Sequence, residues 1–202
     1  KRQEQAAALV DVLLGGSDPG GRLPTSGPTR LADHPAYLHH QPAHDSPGAG
    51  TQRYGESLFM GYRGYDARTI ATRFPFGHGL SYGATEWGVP ITSATSAAAG
   101  QSITVTVPVS AVGDRDATVV VQGYVAPVEP SALRPPKELK AWTKLVVPAG
   151  STSDVGVEFG PDAFHHWDTA TGDWMIEPGD YDLVIASSAE AEHARVRVTI
   201  TP

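Results

Sequence analysis

The side chains with the most obvious chemical potential lie in one histidine-rich tract. His34, His39, His40 and His44, with Asp45, are close together in the sequence. Imidazole and carboxylate groups are zinc ligands by type, and imidazole changes charge near physiological pH. The spacing, however, fits no fixed ligand pattern, and prolines and glycines interrupt the tract. We therefore predict solvated loop residues and no metal site, with a metal site or a pH-sensitive contact as the alternative.

Glu56 and Arg63 are the charged residues of interest in the stretch that follows. A buried carboxylate is usually paired, so the sequence predicts an ion pair between Glu56 and either Arg53 or Arg63 that fixes this stretch. The planar guanidinium of Arg63 suits a carboxylate or several backbone carbonyls equally well. The alternative for both side chains is direct contact with a substrate or a neighbouring domain.

Three other motifs predict no reaction. His78 lies between two glycines with no nucleophile near it, which favours a structural, hydrogen-bonded histidine. Ser81 lacks the G-x-S-x-G context of a nucleophilic serine. The glycine-rich turn that starts at Ser17 lacks the Lys-Ser/Thr pair of a phosphate-binding loop.

Residues 53–82 form the segment that must position Glu56, Arg63 and His78. This segment holds four of the seven tyrosines and three of the five phenylalanines. It also holds five glycines, which permit positive φ angles and close backbone approach. The mixture predicts a packed, irregular segment, lying between a helix-and-loop region and a region of strands.

The region before this segment begins with a predicted helix and continues as loop. Residues 3–14 are helix formers with an apolar stripe at helical spacing, and Gly15-Gly16 is a plausible stop. Residues 29–52 have no periodicity and are interpreted as a long surface loop. A helix with no strand before it is typical of the last helix of a larger α/β unit.

The region after the segment has the alternation of strands. We predict strands at 103–110, 118–125, 142–147, 154–159, 181–186 and 194–200. The fold class is therefore mainly β: a fibronectin type III or immunoglobulin-like β-sandwich, preceded by the terminal helix-and-loop part of an α/β sandwich domain. The predicted domains are residues 1–83 and 84–202.

Composition excludes several classes of partner. The chain of 202 residues has 15 basic and 22 acidic residues, a net charge of −7, and no cysteine. No basic block is present to bind nucleic acid, and no apolar run is long enough to cross a membrane. Disulfides and thiolate chemistry are excluded, whereas secreted and cytoplasmic locations both stay open.

The bulky aromatic residues of the β-region have two possible interpretations, and three charged residues of the same region have one. Core or interface packing is predicted for the bulky aromatics, with stacking on sugar rings as the alternative; these are Trp142, Trp167, Trp174 and Phe164. Lys137, Glu138 and Lys140, beside the Pro135-Pro136 corner, are predicted to form a solvated face, with the corner itself packed on the neighbouring domain.

Four segments in collinear order resemble glycoside hydrolase family 3 enzymes of the β-glucosidase type. ALVDVLLGGSDPGGRLPTSGP resembles the end of that family's α/β sandwich domain, and YGESLFMGYRGYD resembles its Tyr-x-Glu-Gly segment. FPFGHGLSY resembles the exit from that domain. PPKELKAWTKLVVPAG and WMIEPGDYDLVIASS together resemble its fibronectin type III-like domain.

The resemblance implies that this chain is the C-terminal part of a larger, retaining β-glycosidase. The family's nucleophilic Asp and acid/base Glu lie upstream, in a (β/α)₈ barrel and in the α/β domain, so no residue here is assigned a catalytic role. Implied partners are those upstream domains and a β-glucoside or related sugar, with no cofactor and a bacterial source. The residues proposed to reach the cleft rim are Tyr37, His39, His40, Glu56 and Arg63.

The sequence departs from the family pattern at two positions that matter below. Ser57 stands where the family usually has glycine, and Gly123 replaces a large apolar residue. The competing hypothesis is a non-catalytic module that binds carbohydrate or a cell surface. A free-standing module has no use for the first helix, so exposed apolar surface on that helix would favour the glycosidase hypothesis.

Overall fold

The structure is a computed structural model that describes residues 4–39 and 54–202. The helices are α1 (Gln5–Leu13) and α2 (Tyr62–Ala67), and single 3₁₀ turns lie at Leu31–Asp33 and Pro161–Phe164. The strands are β1 (Ala84–Trp87), β2 (Ile91–Thr92), β3 (Ser96–Ala98), β4 (Ile103–Val112), β5 (Ala117–Pro127), β6 (Glu138–Val147), β7 (Thr152–Phe159), β8 (His165–Asp168), β9 (Asp173–Ile176), β10 (Gly179–Ala186) and β11 (Glu192–Thr201).

Two sheets and one hairpin are built from these strands. In the first sheet β4 pairs with β1, with β2 and, along most of its length, with β7. The second sheet has the order β3-β11-β10-β5-β6, and all of its pairs are antiparallel except β3 with β11. Strands β8 and β9 form a separate hairpin between β7 and β10. The mainly β class and the fibronectin type III-like sandwich are thereby confirmed.

The core lies between the two sheets and follows the alternation in the sequence. In β4 every second residue is buried, and Ile103, Val105, Val107 and Val109 are fully enclosed. Side chains of a strand alternate between its two faces, so a period of two places these four on the inner face. At about 25 cal/mol per Å² of apolar surface removed from water, this face is the main source of the sandwich's stability.

Gly123 leaves room for larger neighbours from the opposite sheet. A Cβ at this position would lie 2.7 Å from Cζ of Phe159 and 2.8 Å from Cγ1 of Val157. The large side chain usual in the family is therefore replaced by two side chains reaching across the core, and the packing is intact.

The outer face of the five-stranded sheet is also covered, around strand β5. A second buried cluster joins Tyr124, Val184 and Ala186 of the sheet to Tyr62 and Phe76 of the preceding segment. Tyr62 stacks on Phe76 with ring centroids 4.9 Å apart and meets Tyr124 edge-on at 5.8 Å. Strand β5 is thus enclosed on both faces, which agrees with its nearly continuous apolar sequence.

The predicted strands are all present, and the differences concern short elements. Helix α2 was not predicted, because it has only six residues and one of them is a glycine. Five short strands were also missed, since none of them has more than four residues: β1, β2, β3, β8 and β9. Of the loop predicted at 29–52, residues 40–52 lie outside the described part of the chain, and the remainder contains one 3₁₀ turn.

Candidate functional site

Two of the proposed rim residues line one cavity beside helix α2. The cavity has a volume of about 350 Å³ and is lined by Pro35, His39, Gly55, Glu56, Phe59, Gly64, Ala67 and Arg68. It lies between the turns after Leu31–Asp33 and the segment that leads into α2. This volume is at the lower end of the range of small-molecule sites.

One carboxylate oxygen of Glu56, Oε2, is buried without a hydrogen bond among the described residues. The predicted pair with Arg63 is wrong, because Arg63 binds Glu138 instead, with Nη2 3.1 Å from Oε1. Arg53, the other predicted partner, lies outside the described residues. A buried carboxylate oxygen without a partner needs a donor from elsewhere, such as a water, a ligand or another part of the protein.

The other rim candidates are dispersed. Tyr37 is half-buried in the turn after Leu31–Asp33, and its backbone N–H donates to His34 O at 2.9 Å. His40 lies outside the described residues, as do His44 and Asp45 of the histidine tract. Arg63 lies in α2 but does not line the cavity. The structure therefore brings together His39 and Glu56 only.

Arg68 and its neighbours give the cavity mouth a fixed polar edge. Arg68 Nη2 donates to Asp33 O at 2.8 Å, which ties α2 to the 3₁₀ turn. Asp33 in turn pairs with Arg30 at 2.8 Å, and hydrogen bonds from Arg30 lower the pKa of the Asp33 carboxyl. Tyr65, in the same helix, is buried with an unpartnered hydroxyl, and burial raises its pKa.

The predicted solvated face at the Pro135-Pro136 corner is instead a buried ionic cluster. Lys137 is only 8% exposed, and its Nζ lies 3.4 Å from Asp66 Oδ2 and 3.1 Å from Glu192 Oε1. Glu138 contacts both Arg63 and the buried Arg134. The prediction failed because local composition does not show that α2 packs on this corner.

Burial and charge act in opposite directions on the two acids of this cluster. Burial raises the pKa of Asp66, and the nearby Lys137 ammonium only partly offsets it. Burial also opposes ionisation of Glu192, but the hydrogen bonds and charges of Lys137 and Arg195 outweigh it and lower the pKa of that carboxyl. Helix α2 is therefore held to the sandwich by charge as well as by its aromatic contacts.

Residues 74–82, here called the exit segment, are hydrogen-bonded to Asp18 and Gln122. Neither of these two residues was predicted to have a role. The Asp18 carboxylate accepts from Ser81 Oγ at 3.0 Å and from Tyr82 N at 2.7 Å. Burial opposes ionisation of Asp18, but hydrogen bonds from Thr118, Tyr82 and Ser81 lower its pKa. Gln122 is 4% exposed, and its Nε2 donates to Ser187 O at 2.8 Å and Gly77 O at 3.2 Å. A polar residue within the apolar run of β5 was the available signal for Gln122.

His78 has backbone and ring contacts in the same exit segment. Its carbonyl accepts from Leu23 N at 2.8 Å, and its ring centroid lies 5.5 Å from that of Phe74. His78 and Phe74 line an apolar cleft of about 580 Å³ together with Leu23 and Leu80. Leu80 is 68% exposed, so this cleft is open to solvent.

Helix α1 exposes its apolar stripe completely. None of its residues is buried, and Leu13 is 68% exposed. Core packing is wrong for Trp142, Trp167 and Trp174, which are 66%, 51% and 58% exposed, and packing at a domain interface stays a prediction for them. Phe164, by contrast, is in the core as predicted. So much exposed apolar surface is characteristic of surfaces that bind something.

Metal and membrane sites can be addressed for the described residues alone. In residues 4–39 and 54–202, no three His, Asp or Glu side chains converge to hold a metal ion. Neither of the two α-helices in those ranges is long and apolar enough to cross a bilayer.

These features define a fibronectin type III-like β-sandwich that carries, on one outer face, a helix and exit segment with unpartnered surface. A family model described as a fibronectin type III-like domain matches residues 119–189. A β-glucosidase from Rhizobium radiobacter is 39% identical over 197 residues, which cover 97% of this chain and 24% of that protein. An exo-α-(1→6)-L-arabinopyranosidase from Bifidobacterium longum is 37% identical over 189 residues, covering 93% and 24%.

Solved structures give the same result. A family 3 β-glucosidase from Bifidobacterium adolescentis superposes with a TM-score of 0.85 at 33% identity, covering 96% of this chain and 28% of that one. A β-glucosidase from Streptomyces venezuelae, solved with D-glucose, gives 0.87 at 29% identity, covering 97% and 25%. The chain belongs to glycoside hydrolase family 3. It spans about a quarter of the length of these relatives and corresponds to their C-terminal part.

Proposed function

We propose that this chain is the C-terminal part of a retaining β-glycosidase of the β-glucosidase type that hydrolyses O-glycosidic bonds. Within that enzyme its role is to support the catalytic domains and to form part of the cleft rim. The nucleophile and the acid/base carboxyl belong to upstream domains. A retaining glycosidase needs two carboxyl groups about 5–5.5 Å apart on either side of one bond, and no residue of this chain is assigned to that pair.

The single observation that carries this proposal is the bare apolar stripe of α1. A free-standing binding module would lose solubility by exposing such a helix, whereas a C-terminal part would cover it with the domain it completes. The cleft beside Phe74, His78 and Leu80 has the same character. Both features support an upstream α/β domain as the partner of the part of the chain that precedes the sandwich. The barrel and the boundary between residues 1–83 and 84–202 are inferred from the resemblance to the family.

The experiment compares turnover of p-nitrophenyl β-D-glucoside by the 202-residue chain and by the protein extended with its upstream domains. We expect hydrolysis only with the upstream domains present. Turnover by the 202-residue chain well above background would overturn the non-catalytic role. The B. longum relative is described as an arabinopyranosidase, so p-nitrophenyl α-L-arabinopyranoside is the second substrate to compare.

The rim assignment of Glu56 needs its own variant. Replacing Glu56 by Gln in the extended protein should raise KM about fivefold or more with a smaller change in kcat, because the carboxylate of Glu56, which lines the cavity, would bind substrate rather than react. Glu86→Gln, an exposed acid on β1, is the matched control. An unchanged KM in Glu56→Gln would remove this residue from the rim. His39 and Tyr37 are tested in the same way.

A carbohydrate-binding module is the second candidate, favoured by the exposed tryptophans of the sandwich. It predicts sugar binding by the 202-residue chain whether or not upstream domains are present. The two candidates are compatible, because a rim or surface of a glycosidase can also hold sugar.

A further inference from the structure

Hairpin β8–β9 exposes two tryptophans side by side. Trp167 is 51% exposed and Trp174 is 58% exposed, and Met175 beside them is 43% exposed. Tryptophan is usually largely buried, and two exposed neighbours form an apolar patch that the fold itself does not require. The hairpin is held to the core from below by Phe164 and Ile176, so its anchoring does not depend on these two indoles.

The two indoles share one face of the hairpin. Trp167 and Trp174 are directly opposite each other in the antiparallel register, which puts their side chains on the same side. Their ring centroids are 5.6 Å apart and their planes are inclined at 79°. The rings therefore form a corner in which one indole presents a flat face beside the edge of the other.

The turn of the hairpin holds this corner rigidly. The Asp168 carboxylate accepts from Ala170 N and Thr171 Oγ1, both at 2.9 Å, and the bond from Ala170 is the main cause of its lowered pKa. Gly172 closes the turn with a φ of +69°, a conformation that glycine adopts readily. Asp173 Oδ1 accepts from Trp174 N at 2.7 Å. A ligand therefore meets a preformed surface and orders few side chains when it binds.

The chemistry of the corner favours a neutral ring with an apolar face and hydroxyl edges. Residues 165–176 contain no Lys or Arg and include Asp168 and Asp173, so an anionic ligand such as nucleic acid would be repelled. The negative π-face of an indole attracts the weakly positive C–H face of a pyranose ring. His165, two residues before Trp167, lies on the same face of the hairpin as the indoles, and its ring is a hydrogen-bonding group for a sugar hydroxyl.

We propose that the Trp167–Trp174 corner of hairpin β8–β9 binds a β-linked gluco-oligosaccharide by stacking a sugar ring against the indoles. The choice of sugar class rests on the proposed function, since the relatives include β-glucosidases. The site itself rests on the exposure and rigid geometry of the hairpin. Its role is to hold a polymeric or oligomeric substrate outside the catalytic cleft.

Affinity electrophoresis in gels that contain barley β-glucan tests this site. The extended protein and the 202-residue chain are both run, with dextran gels as the reference for non-specific retardation. We expect β-glucan to retard both proteins. Trp167→Ala and Trp174→Ala should each weaken the binding about tenfold or more, as for a central aromatic contact. Trp142→Ala is the matched control, since this tryptophan is equally exposed but lies on β6, outside the hairpin.

Each outcome decides the proposal. Thermal denaturation of every variant establishes that binding is lost without unfolding, and Trp167→Phe should retain part of the binding because it keeps an aromatic face. No retardation of the wild type, equal retardation of the alanine variants, or retardation of the chain but not of the extended protein would overturn it. So would a change in sedimentation coefficient of Trp174→Ala, which would assign the corner to a protein contact. Hydrolysis of the aryl glucoside is measured separately, so failure of this site leaves the proposed function intact.

Discussion

Ser57 has a backbone φ of 52°, in the left-handed region where only glycine is free of strain. The family usually has glycine at this position, and the structure gives the physical reason for that preference. Ser57 is exposed, and its N–H donates to Tyr54 O at 3.1 Å, so the turn and not the side chain sets the conformation.

Replacing Ser57 by Gly should therefore stabilise the chain. We expect the free energy of unfolding to rise by about 0.5 kcal/mol, because the relief of left-handed strain exceeds the added entropy of glycine in the unfolded state. Urea denaturation measures the change. Ser102→Gly, at an exposed serine without a positive φ, is the control and should be destabilised. A loss of stability in Ser57→Gly would contradict the strain.

At Gly123 we expect the opposite effect, a loss of stability on substitution, because the core has no space for an added side chain. Gly123→Ala should lower the free energy of unfolding by about 2 kcal/mol, because its Cβ would lie 2.7 Å from Phe159 Cζ. Phe159→Leu removes that ring, so the double variant should be less destabilised than the sum of the two singles by about 1 kcal/mol or more. Gly156→Ala, where a Cβ meets only Thr104 at 3.8 Å, should be nearly neutral. Strict additivity in the double variant would refute the overpacking.

At the scale of elements, α2 is attached to the sandwich through Lys137, Asp66 and Glu192. Among residues 4–39 and 54–202, Lys137 is the only lysine within ion-pair distance of these two acids, although Arg195 also pairs with Glu192. Glu192, with its lowered pKa, stabilises the fold above its unfolded pKa, and this contribution is lost as the pH falls through the folded value. Asp66 has a raised pKa, so ionisation of its carboxyl lowers the stability of the fold, and protonation at lower pH removes this cost.

Lys137→Met should destabilise the chain in a pH-dependent manner. At about pH 7 the loss should be about 3 kcal/mol, because Asp66 loses its counter-charge and Glu192 keeps only Arg195. The pKa of each acid then rises, both protonate more readily, and the loss should shrink as the pH falls toward about 4. Urea denaturation at both pH values measures it. Lys144→Met, at an exposed lysine of β6, is the control. A loss that is constant or grows on acidification would contradict the cluster.

At the scale of the whole molecule, the chain has a well-packed sandwich and an incomplete first part. Residues 18–27 and 74–82 are hydrogen-bonded to each other and to the sheet, for instance through Ser26 Oγ, which accepts from Phe76 N at 3.0 Å. Helix α1, in contrast, buries no residue. The unpartnered surface is therefore concentrated in the part of the chain that precedes the sandwich.

The 202-residue chain alone should bind apolar dye and self-associate through α1. Leu13→Lys should reduce both dye fluorescence and the weight-average mass in sedimentation, because this side chain is exposed and belongs to the apolar stripe. The thermal midpoint of the sandwich should stay unchanged. Val89→Lys, at an 83% exposed side chain between β1 and β2 and outside the α1 stripe, is the control and should leave self-association as it was. Equal effects of the two variants would show that the stripe has no special role.

The sequence by itself determined the sandwich, the positions of its six longer strands and the family. Strict alternation in Ile103–Ser110 reports burial directly, because the two faces of a strand are fixed by local geometry. The motifs of the exit segment and of the β-domain are likewise local strings. The apolar stripe of α1 could also be predicted, because it depends only on the helical spacing of apolar residues within one short segment.

Only the tertiary structure decided which side chains meet across long separations in sequence. Lys137 and Glu138 look solvated until α2 packs on them, and Arg63 binds Glu138, 75 residues away, rather than its near neighbour Glu56. Trp167 and Trp174 look like core residues until the hairpin register places both on an outer face. Burial and pairing of these residues depend on how whole elements pack, and residue type and local period carry no information on that packing.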